Sequence, residues 1–307
     1  MSGLKIIRKR ISSVKNTQKI TKAMKMVAAA RLRKAQQRIL ELRPYALETK
    51  AVLASVAARA GGAEAHPLLA TREEQSVLLV ILTSDRGLAG AFSASINKAA
   101  YQLLKRLEGE GKQVSVAVIG RKGRDYFARR GASIRQEFRY VFDNLTLAKA
   151  NEIGQTVIKA YAPLFDPELG SLSSLEDTES VQPELDAVYL IYNEFKSAIT
   201  QQVVIEPLLP VKPEMDSSNR NEVDFIYEPN KRALLDRLIS MYVQTQIFRA
   251  LLESVASEHG ARMTAMDNAT RNASDMIDRL SLKFNRARQA AITKELMEII
   301  GGAEALK

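Results

Sequence analysis

Residues 251–300 read LLESVASEHGARMTAMDNATRNASDMIDRLSLKFNRARQAAITKELMEII, and the way this stretch folds decides the architecture of the chain. From Asn230 to Ile300 there is no proline and one glycine, Gly260, so no residue compels a helix to stop. Such a helix rises roughly 105 Å at about 1.5 Å per residue, whereas a compact 307-residue globule has a radius of gyration of about 19 Å. The helix is therefore expected to project. Within it, Leu252, Ala256, His259, Met263, Met266, Thr270, Ala273, Ile277, Leu280, Phe284, Ala287 and Ala291 recur in alternating steps of four and three. That spacing is a coiled-coil seam, and a seam needs a partner.

The partner lies at the other end of the chain. Ile7, Ile11, Val14, Gln18, Thr21, Lys25, Ala28, Leu32, Ala35, Ile39 and Leu42 repeat the same alternation, with Gln18 and Lys25 as polar misfits. The segment between the two seams must leave one helix and return to the other at the same end of the shaft, so the simplest pairing is antiparallel. Both seams are small in the middle: Ala28, Ala29 and Ala30 on one side, Ala265, Ala269, Thr270 and Ala273 on the other. Small residues allow close backbone approach, and the larger Leu, Ile and Phe positions fix the ends by burial.

Composition narrows the function classes. The length suggests two domains, and 46% hydrophobic residues suffice for a core. The absence of cysteine removes disulfides, thiolate catalysis and cysteine-ligated metals. His66 and His259 are too far apart for a short metal-ligand spacing, and His259 falls on the seam, so neither metal nor cofactor is expected. No apolar run approaches the length of a membrane span, and the N-terminus lacks the apolar centre of a secretory signal. Residues 1–50 carry 14 Lys or Arg against 2 acidic residues, a net +12, although the whole chain is only +10. A second basic cluster, Lys283, Arg286, Arg288 and Lys294, precedes Glu295. A shaft of this charge seeks acidic surfaces, either nucleic acid or acidic protein loops. Nucleic acid is disfavoured, because no aromatic residues interleave with the basic ones in residues 1–43 and Ala28–Ala30 suit a tight seam.

Taken in order, residues 1–59 read as the first shaft helix, with Pro44 expected to kink or end it. Residues 60–75 read as a linker. From Ser76 the period changes. Val77–Leu82, Val114–Ile119 and Ala187–Tyr192 are short apolar runs of buried-strand type, separated by helical segments at Ala94–Leu107, Gly123–Arg130 and Leu145–Leu164. Alternation of strand and helix predicts a parallel α/β sheet with right-handed crossovers, and Gln202–Leu208 follows closely enough to form an antiparallel edge hairpin. The fold class is thus α/β: a long antiparallel coiled coil of N- and C-terminal helices with a central Rossmann-like domain over 76–210. A Ser-, Glu- and Pro-rich loop occupies 166–183, a second linker 211–229, and the C-terminal shaft helix 230–307.

One motif invites an enzymatic reading. Thr83-Ser84-Asp85-Arg86-Gly87-Leu88-Ala89-Gly90-Ala91-Phe92 turns from strand to helix, the place where α/β folds hold phosphates on a helix N-terminus. Its G-x-x-G spacing lacks both G-x-G-x-x-G and G-K-[ST], so it reads as a tight turn with Ser84 or Asp85 contributing a helix cap. No catalytic constellation occurs elsewhere.

Three stretches resemble a known family: Asn16-Thr17-Gln18-Lys19-Ile20-Thr21-Lys22-Ala23-Met24-Lys25-Met26-Val27-Ala28, then Thr83–Leu88, then the run from Arg286 to Ala303. They are similar to the gamma subunit of F-type ATP synthase, in a bacterial-like form without the dithiol regulatory insert, since no cysteine is present and Ala89 stands where relatives often carry one. The resemblance implies a non-catalytic rotor inside a ring of three alpha and three beta subunits, coupling an ion-driven membrane c-ring to ATP synthesis and resting on an epsilon subunit. It implies that Met24, Lys25 and Arg262 lie beside beta-subunit loops, and that Arg288, Gln289, Thr293 and Glu295 are gripped by beta loops on the upper shaft. It places the protein peripherally on the cytoplasmic side of a bacterial inner membrane, leaving a thylakoid or other coupling membrane open.

Overall fold

The computed structural model describes residues 2–59, 66–166, 171–172, 184–198, 200–212, 228 and 230–304. Much of each expected linker, 60–65 and 213–227, and most of the expected loop at 166–183 lie outside the described residues. The elements run α1 (Ser2–Arg59), β1 (Ser76–Leu82), α2 (Phe92–Gly109), β2 (Gln113–Ile119), α3 (Arg121–Ala128), β3 (Ile134–Phe138), α4 (Leu147–Tyr161), β4 (Phe165–Asp166), β5 (Ser171–Leu172), β6 (Ala187–Phe195), β7 (Gln201–Leu209) and α5 (Lys231–Glu304). Two compact units result, one formed by Met1–Ala30 with Arg262–Lys307, the other by Arg31–Ala261.

In the second unit, five strands lie in the order β3-β2-β1-β6-β7. β1 pairs in parallel with both β2 and β6, β2 in parallel with β3, and β7 turns back antiparallel on β6. Strand alternation sorts the side chains into two cores. Leu78, Val80 and Leu82 pack with Leu53 and Val56 of α1, Ile153 and Val157 of α4, and Ile239, Val243 and Ile247 of α5. Val77, Leu79 and Ile81 face the other way, onto Ile96, Ala100 and Leu104 of α2 and Phe127 of α3. Helices cover both faces, as a doubly wound sheet requires.

Local chemistry sets the element ends. The Thr146 hydroxyl accepts from the Lys149 N–H and caps α4, and the Asn230 side-chain carbonyl accepts from the Ala233 N–H and caps α5. Gly120, between β2 and α3, holds φ +94°, and a Cβ there would stand 2.1 Å from the Thr83 carbonyl oxygen, so only glycine fits.

α1 runs the expected length of the first shaft helix, from Ser2 to Arg59, with Pro44 inside it. The proline lies on an exposed face, where water can satisfy the carbonyl it leaves unbonded. β3, with sequence IRQEF, was not foreseen: it is an edge strand with three polar positions, so it lacks the apolar run that marks its neighbours. Residues Ser171–Leu172, inside the expected loop, form a two-residue ladder with Phe165–Asp166. Asp85 does not cap α2, whose N-cap Ala91 makes no side-chain bond. Its Oδ1 accepts from the Arg121 N–H, 3.0 Å away, at the start of α3, because the β1 and β2 ends are neighbours in the sheet.

Candidate functional site

In the unit formed by residues 1–30 and 262–307, every expected seam position of both helices is buried or half-buried, with Thr21, Ala28, Met266 and Ala273 the most enclosed. The polar misfits find partners across the seam. Gln18 Nε2 donates to Ser274 Oγ at 2.6 Å, the Thr21 and Thr270 hydroxyls meet at 2.7 Å, and Lys25 Nζ lies 2.5 Å from Asp267 Oδ1. Partner numbers fall along α5 as they rise along α1, so the coil is antiparallel. These bonds fix axial register, since a slip by one turn would strand each polar group against apolar neighbours. The hydrogen bond from Lys25, with Arg271 adding its charge, holds the Asp267 carboxyl below its usual value.

Carried along the coil, this register places the start of α1 opposite about residue 290 of α5. From Ala291 onward α5 has no helix beside it among the described residues. Here Ile292, Leu296, Met297, Ile299 and Ile300 are all exposed, and at i, i+4, i+5, i+7 and i+8 they form a broad apolar stripe on one side of the helix, opposite Lys294, Glu295 and Glu298.

The residues nominated from sequence divide accordingly. Met24, Lys25 and Arg262 are half-buried beside the coil seam, Lys25 in its ion pair with Asp267. Arg288, Gln289, Thr293 and Glu295 are exposed, and the Thr293 hydroxyl donates back to the Gln289 carbonyl at 3.0 Å. All seven nominated residues lie in the unit formed by residues 1–30 and 262–307. Sequence reasoning missed Asp267 as the counter-ion of Lys25; the available signal was an acid immediately after seam position Met266.

The strand-to-helix turn after β1 is occupied by its own bonds. Ser84 Oγ pairs with Ser93 Oγ at 2.7 Å and donates to the Arg86 carbonyl, Thr83 Oγ1 donates to the Ile119 carbonyl, and Asp85 places a carboxylate at the N-terminus of α3. An anion at that helix end would meet a like charge. Among the described residues, no group of three or more His, Cys, Asp and Glu could hold a metal ion, and no helix is long and apolar enough to cross a membrane.

A polar-registered antiparallel coil with a bare C-terminal extension, in a chain that also carries a doubly wound sheet, defines a coiled-coil stalk protein. Over residues 3–306 the chain matches the family model described as ATP synthase. Two relatives, each named ATP synthase gamma chain, are 50% identical (Sorangium cellulosum) and 49% identical (Anaeromyxobacter sp. strain Fw109-5), with 100% of both chains covered in each case. Among solved structures, a central stalk/c-ring chain of Tetrahymena thermophila mitochondrial ATP synthase aligns with TM-score 0.57 at 26% identity, over 81% of this chain and 99% of that one. A rotor chain of Euglena gracilis mitochondrial ATP synthase shares the fold with TM-score 0.62 at 17% identity, over 95% and 99%. The chain belongs to the ATP synthase gamma-chain family. It is a rotor subunit of that machine, and catalysis is not its own task.

Proposed function

We propose that this rotor turns inside a ring of three alpha and three beta subunits, seated on an epsilon subunit and a membrane c-ring, on the cytoplasmic side of a bacterial inner membrane. The domain division that serves this role keeps the shaft helices at 1–59 and 230–307 and the α/β domain at 76–210. The observation that carries the reading is the bare end of α5. A helix end exposing Ile292, Leu296, Met297, Ile299 and Ile300 as one broad stripe is costly in water, and an apolar surface that covers the stripe removes that cost.

Around the start of that stretch, Arg288, Gln289, Thr293 and Glu295 are the residues beta loops grip, and Met24, Lys25 and Arg262 lie beside beta loops further along the coil. Lys25 gives the coupling a physical form. Its ammonium is held by Asp267, so a passing carboxylate competes with an internal one, and the exchange is favourable only at some rotor angles. A difference in contact free energy between angles is what links rotation to catalytic-site affinity.

The test has two arms. Purified complex must contain this chain once per three pairs of large nucleotide-binding subunits; recovery without them overturns the assembly. In the assembled enzyme, Arg288→Lys and Gln289→Ala must lower cooperative turnover with assembly intact, because an ammonium cannot reproduce the planar guanidinium fork. Wild-type cooperativity in both variants removes the grip from these residues.

A further inference from the structure

Hydrophobic packing is non-directional, so a helix held to a sheet only by apolar contacts resists separation better than it resists twisting about its own axis. α5 is held otherwise. Arg249, Glu253, Ser257 and Gly260 follow one another at steps of four, four and three, which places them on one face of the helix. All four meet the β6–β7 hairpin. Arg249 Nη2 reaches both carboxylate oxygens of Glu206 at 2.9 and 2.7 Å, and its Nη1 donates to the Tyr192 hydroxyl at 3.2 Å. Tyr192 OH in turn donates to Glu206 at 3.0 Å, and Gln246 accepts from Arg249 Nε at 2.9 Å, which orients the guanidinium. Glu253 Oε2 accepts from the Phe195 N–H at 2.9 Å, and the Ser257 hydroxyl donates to the Asn193 carbonyl at 3.0 Å. At Gly260 a Cβ would stand 3.2 Å from the Phe195 ring and 3.3 Å from Ala198 Cα, so the bare backbone lets helix and hairpin tip close together.

We infer that this stripe, with Arg249 and Glu206 at its centre, is the clamp that fixes the rotational setting of α5 against the α/β domain, so that torque passes between domain and shaft without twist being lost. The inference rests on the rotor reading above. The guanidinium is the directional part: Nη2 donates to both Glu206 oxygens while Nη1 and Nε are held by Tyr192 and Gln246, and this set of bonds misaligns under a few degrees of helix rotation, whereas the apolar contacts of Ile239, Val243 and Ile247 barely change. Arg249 is a positioning residue. It touches no reacting group, and its effect reaches the catalytic sites only through the helix it holds.

The experiment uses the complete ATP synthase in inverted membrane vesicles, with proton pumping and ATP hydrolysis measured on the same preparation. Arg249→Gln removes the fork and the charge, Arg249→Lys keeps the charge alone, and Glu206→Gln leaves Arg249 with Tyr192 and Gln246. The clamp requires that Arg249→Gln and Glu206→Gln assemble in normal amount, hydrolyse ATP at no less than half the wild-type rate, and pump at least two-fold fewer protons per ATP, with Arg249→Lys in between. A purely structural role would lower assembly and leave that ratio unmoved. Equal ratios in all variants overturn the inference, and so does failure of both Arg249→Gln and Glu206→Gln to assemble, which would make the pair a folding determinant. Failure of the wild-type vesicles to pump on ATP would instead overturn the rotor reading itself.

Discussion

Acidification should loosen the region around His66 by a calculable amount. The ring is almost wholly enclosed, edge-on to Phe165 at 4.8 Å, and its Nδ1 accepts from the Leu68 N–H at 3.0 Å. The proton of the neutral ring therefore sits on Nε2, 3.3 Å from Asp236 Oδ1. Burial, aided by the charge of Arg232, pushes the imidazole from 6.5 down to about 4. A group with a depressed folded value is protonated more readily when unfolded, so stability is complete above pH of about 6.5 and is lost as pH falls toward about 4. The 2.5-unit gap between those two values limits the loss to about 3 kcal/mol, and at pH of about 5 it amounts to about 2 kcal/mol, or roughly a thirty-fold rise in local opening. Asp236 works in the opposite direction: burial raises its carboxyl, so its own protonation relieves part of the cost at the acid end. The assay is amide hydrogen exchange of segments 66–70 and 234–240 at pH 7 and 5, corrected for intrinsic rates. His66→Gln keeps an acceptor for the Leu68 N–H but does not titrate, so it should flatten the dependence. Equal opening at both pH values in the wild type, or the same rise in His66→Gln, refutes the reasoning.

Met24→Lys should lower proton pumping per ATP with normal assembly, because a second ammonium beside Lys25 adds a charge pair with a passing acidic loop and over-stabilises one rotor angle by about 1 kcal/mol; unchanged pumping per ATP would remove Met24 from the contact. Gly120→Ala should cost more than about 2 kcal/mol, since it combines a left-handed φ with a clash against the Thr83 carbonyl oxygen. A lowered thermal midpoint of the purified chain checks this, and a midpoint equal to wild type would contradict it.

The seam was legible residue by residue because a coiled coil writes its contacts into a local period: each position from Ile7 to Leu42 and from Leu252 to Ala291 that the spacing selects is buried or half-buried. The buried strands were legible for the same reason. β1, β2 and β6 are apolar runs bounded by turns, and each, like the partly exposed edge strand β7, was placed to within a residue or so at its start. β3 was not, since Arg135, Gln136 and Glu137 in an edge strand look like any polar connection until a neighbouring strand supplies the ladder.

By itself, the sequence determined what depends on neighbours within a few residues: helix over most of both termini, the seam faces, the α/β alternation, the charge of the N-terminal helix, and motifs specific enough to carry the family resemblance. Only the tertiary structure decided which polar group meets which. Lys25 and Asp267, Asp85 and the start of α3, and Arg249 with Glu206 and Tyr192 are pairs separated by 242, 36, 43 and 57 residues. No local pattern encodes such a pairing. A buried polar side chain must be satisfied, yet its partner is chosen by the register of packed elements, which exists only once the chain has folded.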